Sequence, residues 1–148
     1  MITKFLFPIL LFLGSLVFAQ SSNVNQENGI ANSGYDVVGY FSGKALQGSA
    51  KFAMKHQGVS YYFQNAENKA KFQQDPDKYL PQYGGYCAYA MGDSGEKVSV
   101  NPKTYKIING KLYLFYNSFL NNTLTSWNKD EKNLKIKADK NWKKIIQK

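Results

Sequence analysis

Asn109-Gly110 is the strongest local constraint in this chain. It separates Tyr105-Lys106-Ile107-Ile108 from Lys111-Leu112-Tyr113-Leu114-Phe115-Tyr116, two runs rich in aromatic and branched residues. A type I′ turn needs positive φ at both central residues, and Asn-Gly supplies it cheaply. The spacing predicts a β-hairpin, so the fold must contain an antiparallel sheet. A second hairpin is predicted from residues 51–56 and 59–63, split by Gln57-Gly58. Alternation puts Phe52, Met54 and His56 on one face of its first strand, and Val59, Tyr61 and Phe63 on one face of its second.

The remaining elements are mixed. Tyr35-Asp36-Val37-Val38-Gly39-Tyr40-Phe41 is rich in aromatic and β-branched residues and reads as a strand or extended segment. Asn65 is placed to cap a helix from residue 66 to about 73, with Glu67 in its first turn, and Asp75-Pro76 closes it. Gly84-Gly85 permits a sharp bend, and residues 86–91 suit either a short helix or a strand. From about residue 118 the chain reads as helical. Within 129–148, Leu134, Ala138, Trp142 and Ile145 recur at spacings of four, four and three, leaving lysines on the outer face. The expected class is α+β: a small antiparallel sheet with short helices and a C-terminal helical segment.

Residues 1–19 read as a secretory signal peptide. Lys4 gives the positive region, the stretch from Phe5 to Phe18 is apolar, and cleavage is expected after Ala19. The apolar run is short for a membrane span, which needs about 20 residues. The product is expected to be periplasmic or secreted, with no transmembrane segment in the mature chain. Residues 20–33 are polar and aperiodic and read as a flexible leader, with one domain over 34–148.

All 19 basic residues are lysines. Removing Lys4 leaves 18 against 10 acids, a mature net charge of +8. Residues 20–100 balance to zero, whereas residues 101–148 hold eleven lysines and three acids. The excess suits an acidic envelope surface or acidic protein partner, or is simply a solvated helix face. The lack of arginine argues against nucleic acid, whose bases and phosphates are gripped by guanidinium forks.

Cys87 is the sole cysteine, so no intramolecular disulfide forms. His56 is the sole histidine. A nucleophilic Cys87 would have only His56 as its base, and no oxyanion site can be assigned, so a non-enzymatic role is expected. Cys87, His56 and Met91, with Met54 nearby, form a candidate soft-metal set suited to copper, with zinc as the other choice. On a helix, Cys87 and Met91 would lie one turn apart. The competing reading makes Cys87 and Met91 core residues and His56 a strand end. Tyr83, Tyr86 and Tyr89, with Tyr35, Tyr40, Tyr61 and Tyr62, could also line a small-ligand pocket or simply occupy half-buried positions.

The ordered pattern of Tyr35-Asp36-Val37-Val38-Gly39-Tyr40-Phe41, Gly58-Val59-Ser60-Tyr61-Tyr62-Phe63, Asn68, Phe72, Asp75-Pro76, Lys78-Tyr79 and Pro81-Gln82-Tyr83-Gly84-Gly85-Tyr86-Cys87-Ala88-Tyr89-Ala90 resembles the YHS domain family, and within it the small exported bacterial members. The core motif covers 35–91; the Asn-Gly hairpin and the stretch from Ala138 to Trp142 resemble that branch's C-terminal half. The resemblance implies a compact α+β module associated with metal handling through cysteines. At the positions where those cysteines fall, this chain has Val38 and, nearby, Gln64 and Asn68. The expected function is an exported, non-enzymatic YHS-type binding module for copper or another soft metal. The alternative is an interaction module that docks an acidic surface through its lysine-rich C-terminal third.

Overall fold

The structure, a computed structural model, describes residues 23–148. The signal-peptide reading at 1–19, and residues 20–22, lie outside the described residues. The fold is α+β, as the sequence predicts.

The chain enters through two short strands, β1 (Gln26–Glu27) and β2 (Ile30–Ala31). The expectation of a flexible leader as far as residue 33 is therefore corrected from residue 23 onward. The segment is ordered by backbone partners that its polar composition conceals. The Asn25 N–H donates to the Gly84 carbonyl at 2.8 Å and its side-chain amide to the Gly85 carbonyl at 3.1 Å. Ala31 and Asn32 are buried.

Tyr35–Phe41 is not a strand either. Tyr35 makes one bridge to Gln47, and Gly39–Ser42 forms a 3₁₀ turn. The cause is Asp36. Its Oδ1 accepts the N–H groups of Val38 and Gly39, at 2.9 and 3.2 Å, and so diverts the backbone from a ladder.

The first predicted hairpin is present as β3 (Ser49–His56) and β4 (Val59–Phe63). Its turn residues Gln57 and Gly58 both take positive φ, 49° and 80°. Val59, Tyr61 and Phe63 are buried as the alternation requires. β3 is less regular: its register shifts between Ser49 and Ala53, so its side chains are at most half-buried. The four-strand order is β1-β2-β4-β3, with β2 joined to β4 by a parallel pairing of Ile30 with Ser60.

Helix α1 (Ala66–Gln74) starts at Asn65, whose side chain accepts the Asn68 N–H at 2.8 Å. Asp75 then caps α2 (Pro76–Tyr79), with Pro76 at its first position. Phe72 of α1 and Tyr79 of α2 close a first core with Val37, Val38 and the buried face of β4.

Residues 86–91, open from sequence, resolve as a helix: α3 (Ala88–Asp93). The second predicted hairpin is β5 (Asn101–Ile108) and β6 (Lys111–Phe115), with Asn109 and Gly110 at φ 50° and 73°. β6 is the spine of the C-terminal half, with Leu112 to Phe115 all buried. Tyr113 and Phe115 face one core with Met91 and Trp127, while Leu112 and Leu114 face Tyr40. A period of two lets one strand serve two cores.

The chain does not turn helical at residue 118. A further hairpin intervenes, β7 (Asn117–Ser118) and β8 (Asn121–Asn122). Helices α4 (Thr123–Lys129) and α5 (Glu131–Ile146) follow, broken at Asp130. Leu134 and Ala138 are buried, and Trp142 and Ile145 pack beside them, which is the stripe the spacing predicts. Gly92 permits this docking: a Cβ there would lie 2.5 Å from the Leu134 carbonyl oxygen. No helix among the described residues is long and apolar enough to cross a membrane.

Candidate functional site

The predicted metal ligands fall into separate environments. Cys87 follows a tight bend in which Tyr83, Gly84 and Gly85 all take positive φ, at 56°, 62° and 82°. Glycine is required at 84, because a Cβ there would lie 1.8 Å from the Asn23 carbonyl oxygen. Cys87 is fully buried. Its sulfur accepts the Tyr116 N–H at 3.3 Å and lies 3.4 Å from Thr123 Oγ1. The Thr123 hydroxyl has one proton, which it gives to the Tyr116 carbonyl at 2.6 Å. The Cys87 S–H is therefore the donor to Thr123. The thiol is a clip between the start of α3 and the junction of β6 with α4.

Met91 does lie one turn beyond Cys87, its N–H donating to the Cys87 carbonyl at 3.0 Å. Its thioether is fully buried in the core that holds Trp127 and Phe115. His56 belongs to the other core: its ring meets Phe72 and Tyr61 at centroid distances of 5.6 and 6.3 Å. Its Nε2 is buried without a hydrogen-bond partner. Met54 packs against that same first core. Among the described residues, no three His, Cys, Asp or Glu side chains come together. Cys87 and Met91 are engaged in packing and hydrogen bonds, and His56 packs in a different core.

Val38, where the resemblance places a cysteine, and Gln64 and Asn68, near which it places others, are instead gathered by one carboxylate. Asp36 is fully buried. Beyond Val38 and Gly39, its Oδ2 accepts the Gln64 N–H at 2.9 Å and the Asn68 side-chain amide at 2.7 Å. Nothing in the sequence pattern alone assigns Asp36 a role. Four converging donors make it the latch between the Tyr35–Phe41 segment, the end of β4 and α1.

No protein-family model matches the chain, and neither a curated protein nor a solved structure does.

Among the described residues, the tyrosines border separate clefts. Tyr62 borders a cleft with Ile30 and Gln47, Tyr61 borders one of about 400 Å³ with Leu80 and Trp142, and Tyr89 borders one of about 250 Å³ beside Cys87. Others serve the interior. Tyr40 donates to the Pro102 carbonyl at 2.6 Å, and Tyr83 to Asp139 Oδ1 at 2.7 Å. Burial first, and then the hydrogen bond to Asp139, pushes the Tyr83 hydroxyl well above the usual phenol range. Burial pushes Tyr61 up to about 12.

What remains is the basic face. Of the eleven lysines in 101–148, Lys106 pairs with Glu131 and Lys135 with Asp139, which leaves nine without an ion pair among the described residues. Lys132, Ile136, Lys140 and Lys144 of α5, with Lys148 just past its end, recur every fourth residue. They are offset by two residues, about 200° around the helix, from Leu134, Ala138 and Trp142. All five are exposed. Burying one stripe against α3 turns the other outward. Lys137 and Lys143 are exposed beside it.

The clip arrangement carries its own expected result. Native protein should react with a thiol reagent such as Ellman's at least roughly 100-fold more slowly than urea-unfolded protein, because access requires opening of the fold. Equal rates would show that Cys87 is not enclosed.

Proposed function

We propose that this protein is an exported, non-enzymatic YHS-type module whose lysine-bearing C-terminal helix docks it onto an acidic envelope surface. The observation that carries the reading is the outward lysine stripe of α5, without ion pairs among the described residues and set on a helix anchored by Leu134 and Ala138. Exposed lysines that neutralise no neighbour raise the local positive potential and attract polyanions. A solvated helix face usually carries both signs, as at Lys71 and Glu67 on α1, 2.7 Å apart. Beyond Asp139, α5 has no acid. The non-enzymatic part rests on Cys87 and His56: one is enclosed as a clip, and the other packs on Phe72 in a separate core.

The test is a charge reversal. Lys137→Glu, Lys140→Glu and Lys144→Glu together leave the buried stripe untouched. At about 1 kcal/mol per lysine near an anionic surface, the triple variant should bind immobilised polyphosphate about 100-fold more weakly than the natural sequence. Unchanged binding would remove α5 from the proposed contact.

A further inference from the structure

The tip of the β7–β8 hairpin violates a local folding rule with no return inside the fold. Two-residue hairpin loops favour Asn, Asp or Gly, because their turns need positive φ. Here the loop is Phe119-Leu120, and neither residue takes a positive φ. Phe119 is 98% exposed and Leu120 90%. The next most exposed large apolar side chain among the described residues, Ile136, is 59% exposed. Such uncompensated local conflicts concentrate at functional sites.

The tip is nevertheless held on a fixed stalk. Asn117 pairs with Asn122 and Ser118 with Asn121. The Asn117 amide donates to Thr104 Oγ1 at 3.0 Å, tying the hairpin to β5. Thr123 donates both its N–H and its hydroxyl to the Tyr116 carbonyl, at 3.1 and 2.6 Å, locking the return. Asn122 then caps α4 by accepting the Leu124 N–H. Exposed Lys103 adjoins Thr104, and Lys129 ends α4, a helix only about 10 Å long. Residues 117–129 contain no acid.

From this we infer that the acidic surface is an anionic phospholipid bilayer, and that Phe119 and Leu120 are a wedge inserted below its headgroups. The inference rests on the docking reading above and names its partner. Interfacial proteins divide the task in this way, with apolar side chains entering the acyl boundary while lysines meet the headgroups. Two apolar side chains alone bind lipid weakly, and lysine attraction alone is screened by salt. A soluble polyanion offers the lysines a partner but gives Phe119 and Leu120 nothing to enter. A bilayer serves both.

The test compares the exported protein with Phe119→Ser/Leu120→Ser on three probes: vesicles of phosphatidylglycerol with phosphatidylcholine, vesicles of phosphatidylcholine alone, and immobilised polyphosphate. Both changes are at exposed positions, so folding is checked simply by circular dichroism. The double variant should bind the anionic vesicles roughly 10- to 100-fold more weakly while its polyphosphate binding is unchanged. Phosphatidylcholine vesicles should bind neither protein strongly. Equal vesicle binding by the two proteins overturns the wedge. So does an equal loss on polyphosphate, or a concentration-dependent self-association that the double variant abolishes. If the natural protein binds polyphosphate but not anionic vesicles, the lipid assignment fails and the docking reading stands. If it binds neither, the docking reading itself fails.

Discussion

Asp36→Ala should lower folding stability by about 3–5 kcal/mol, because several donors lose one shared acceptor at once. The carboxylate is fully buried and receives four donors, three of them backbone N–H groups. Alanine strands the Val38 and Gln64 N–H groups and the Asn68 amide, while the Gly39 N–H keeps the Asp36 carbonyl at 3.1 Å; each unsatisfied buried donor costs about 1–3 kcal/mol before relaxation or entering water reduces it. Asp36→Asn should lose less. Asparagine keeps the shape and one acceptor oxygen, but it turns an amide toward either the Val38–Gly39 pair or the Gln64–Asn68 pair. Urea denaturation followed by circular dichroism measures both. An alanine variant within about 1 kcal/mol of the natural sequence would mean that the latch is not what holds the Tyr35–Phe41 segment to α1.

The second large effect is expected at Trp127. Its ring is fully buried, 5.5 Å from Phe115 and 5.9 Å from Tyr113 between centroids, and its indole N–H donates to Glu131 at 3.0 Å. Trp127→Ala removes the largest side chain of the second core, and substitutions of that kind cost about 3–5 kcal/mol. Trp127→Phe should recover part of the loss, because it keeps the ring contacts and gives up the hydrogen bond. Glu131 retains Lys106 in either variant, so the ion pair is not the variable. Midpoints of urea unfolding for the two variants, compared at equal slope, give the result. If alanine and phenylalanine cost the same, the cavity is not the dominant loss.

What the sequence made legible follows from how local each signal is. The Asn109-Gly110 hairpin, the Asn65 cap of α1 and the Leu134–Ala138–Trp142 stripe are written within a few residues of where they act, and each is present. The segment before Tyr35 is ordered through Asn25, whose partners Gly84 and Gly85 lie some sixty residues away. No reading of local polarity finds such a contact. The Tyr35–Phe41 run has strand composition, yet one aspartate within it makes a turn cheaper than a ladder. Gln57-Gly58 was recognisable by its glycine, whereas Phe119-Leu120 hid a hairpin because its turn chemistry is the reverse of the usual. Grouping Cys87, His56 and Met91 needed spatial proximity, and sequence supplies that only for Cys87 and Met91, one helical turn apart. The basic face was legible as an excess of lysines in the last third; the four-residue spacing on α5 also shows which of them point away from the core.

Docking through those lysines is tested most directly by vesicle binding of the protein as salt rises. Vesicles of phosphatidylglycerol with phosphatidylcholine are sedimented with the protein between about 0.05 and 0.5 M salt, a range over which the screening length falls from about 14 to about 4 Å. A lysine-borne contact predicts strong binding at the low end that falls steeply and continuously toward the high end. Vesicle binding that stays constant across the range would contradict it, and binding absent at the lowest salt would contradict the bilayer as the surface.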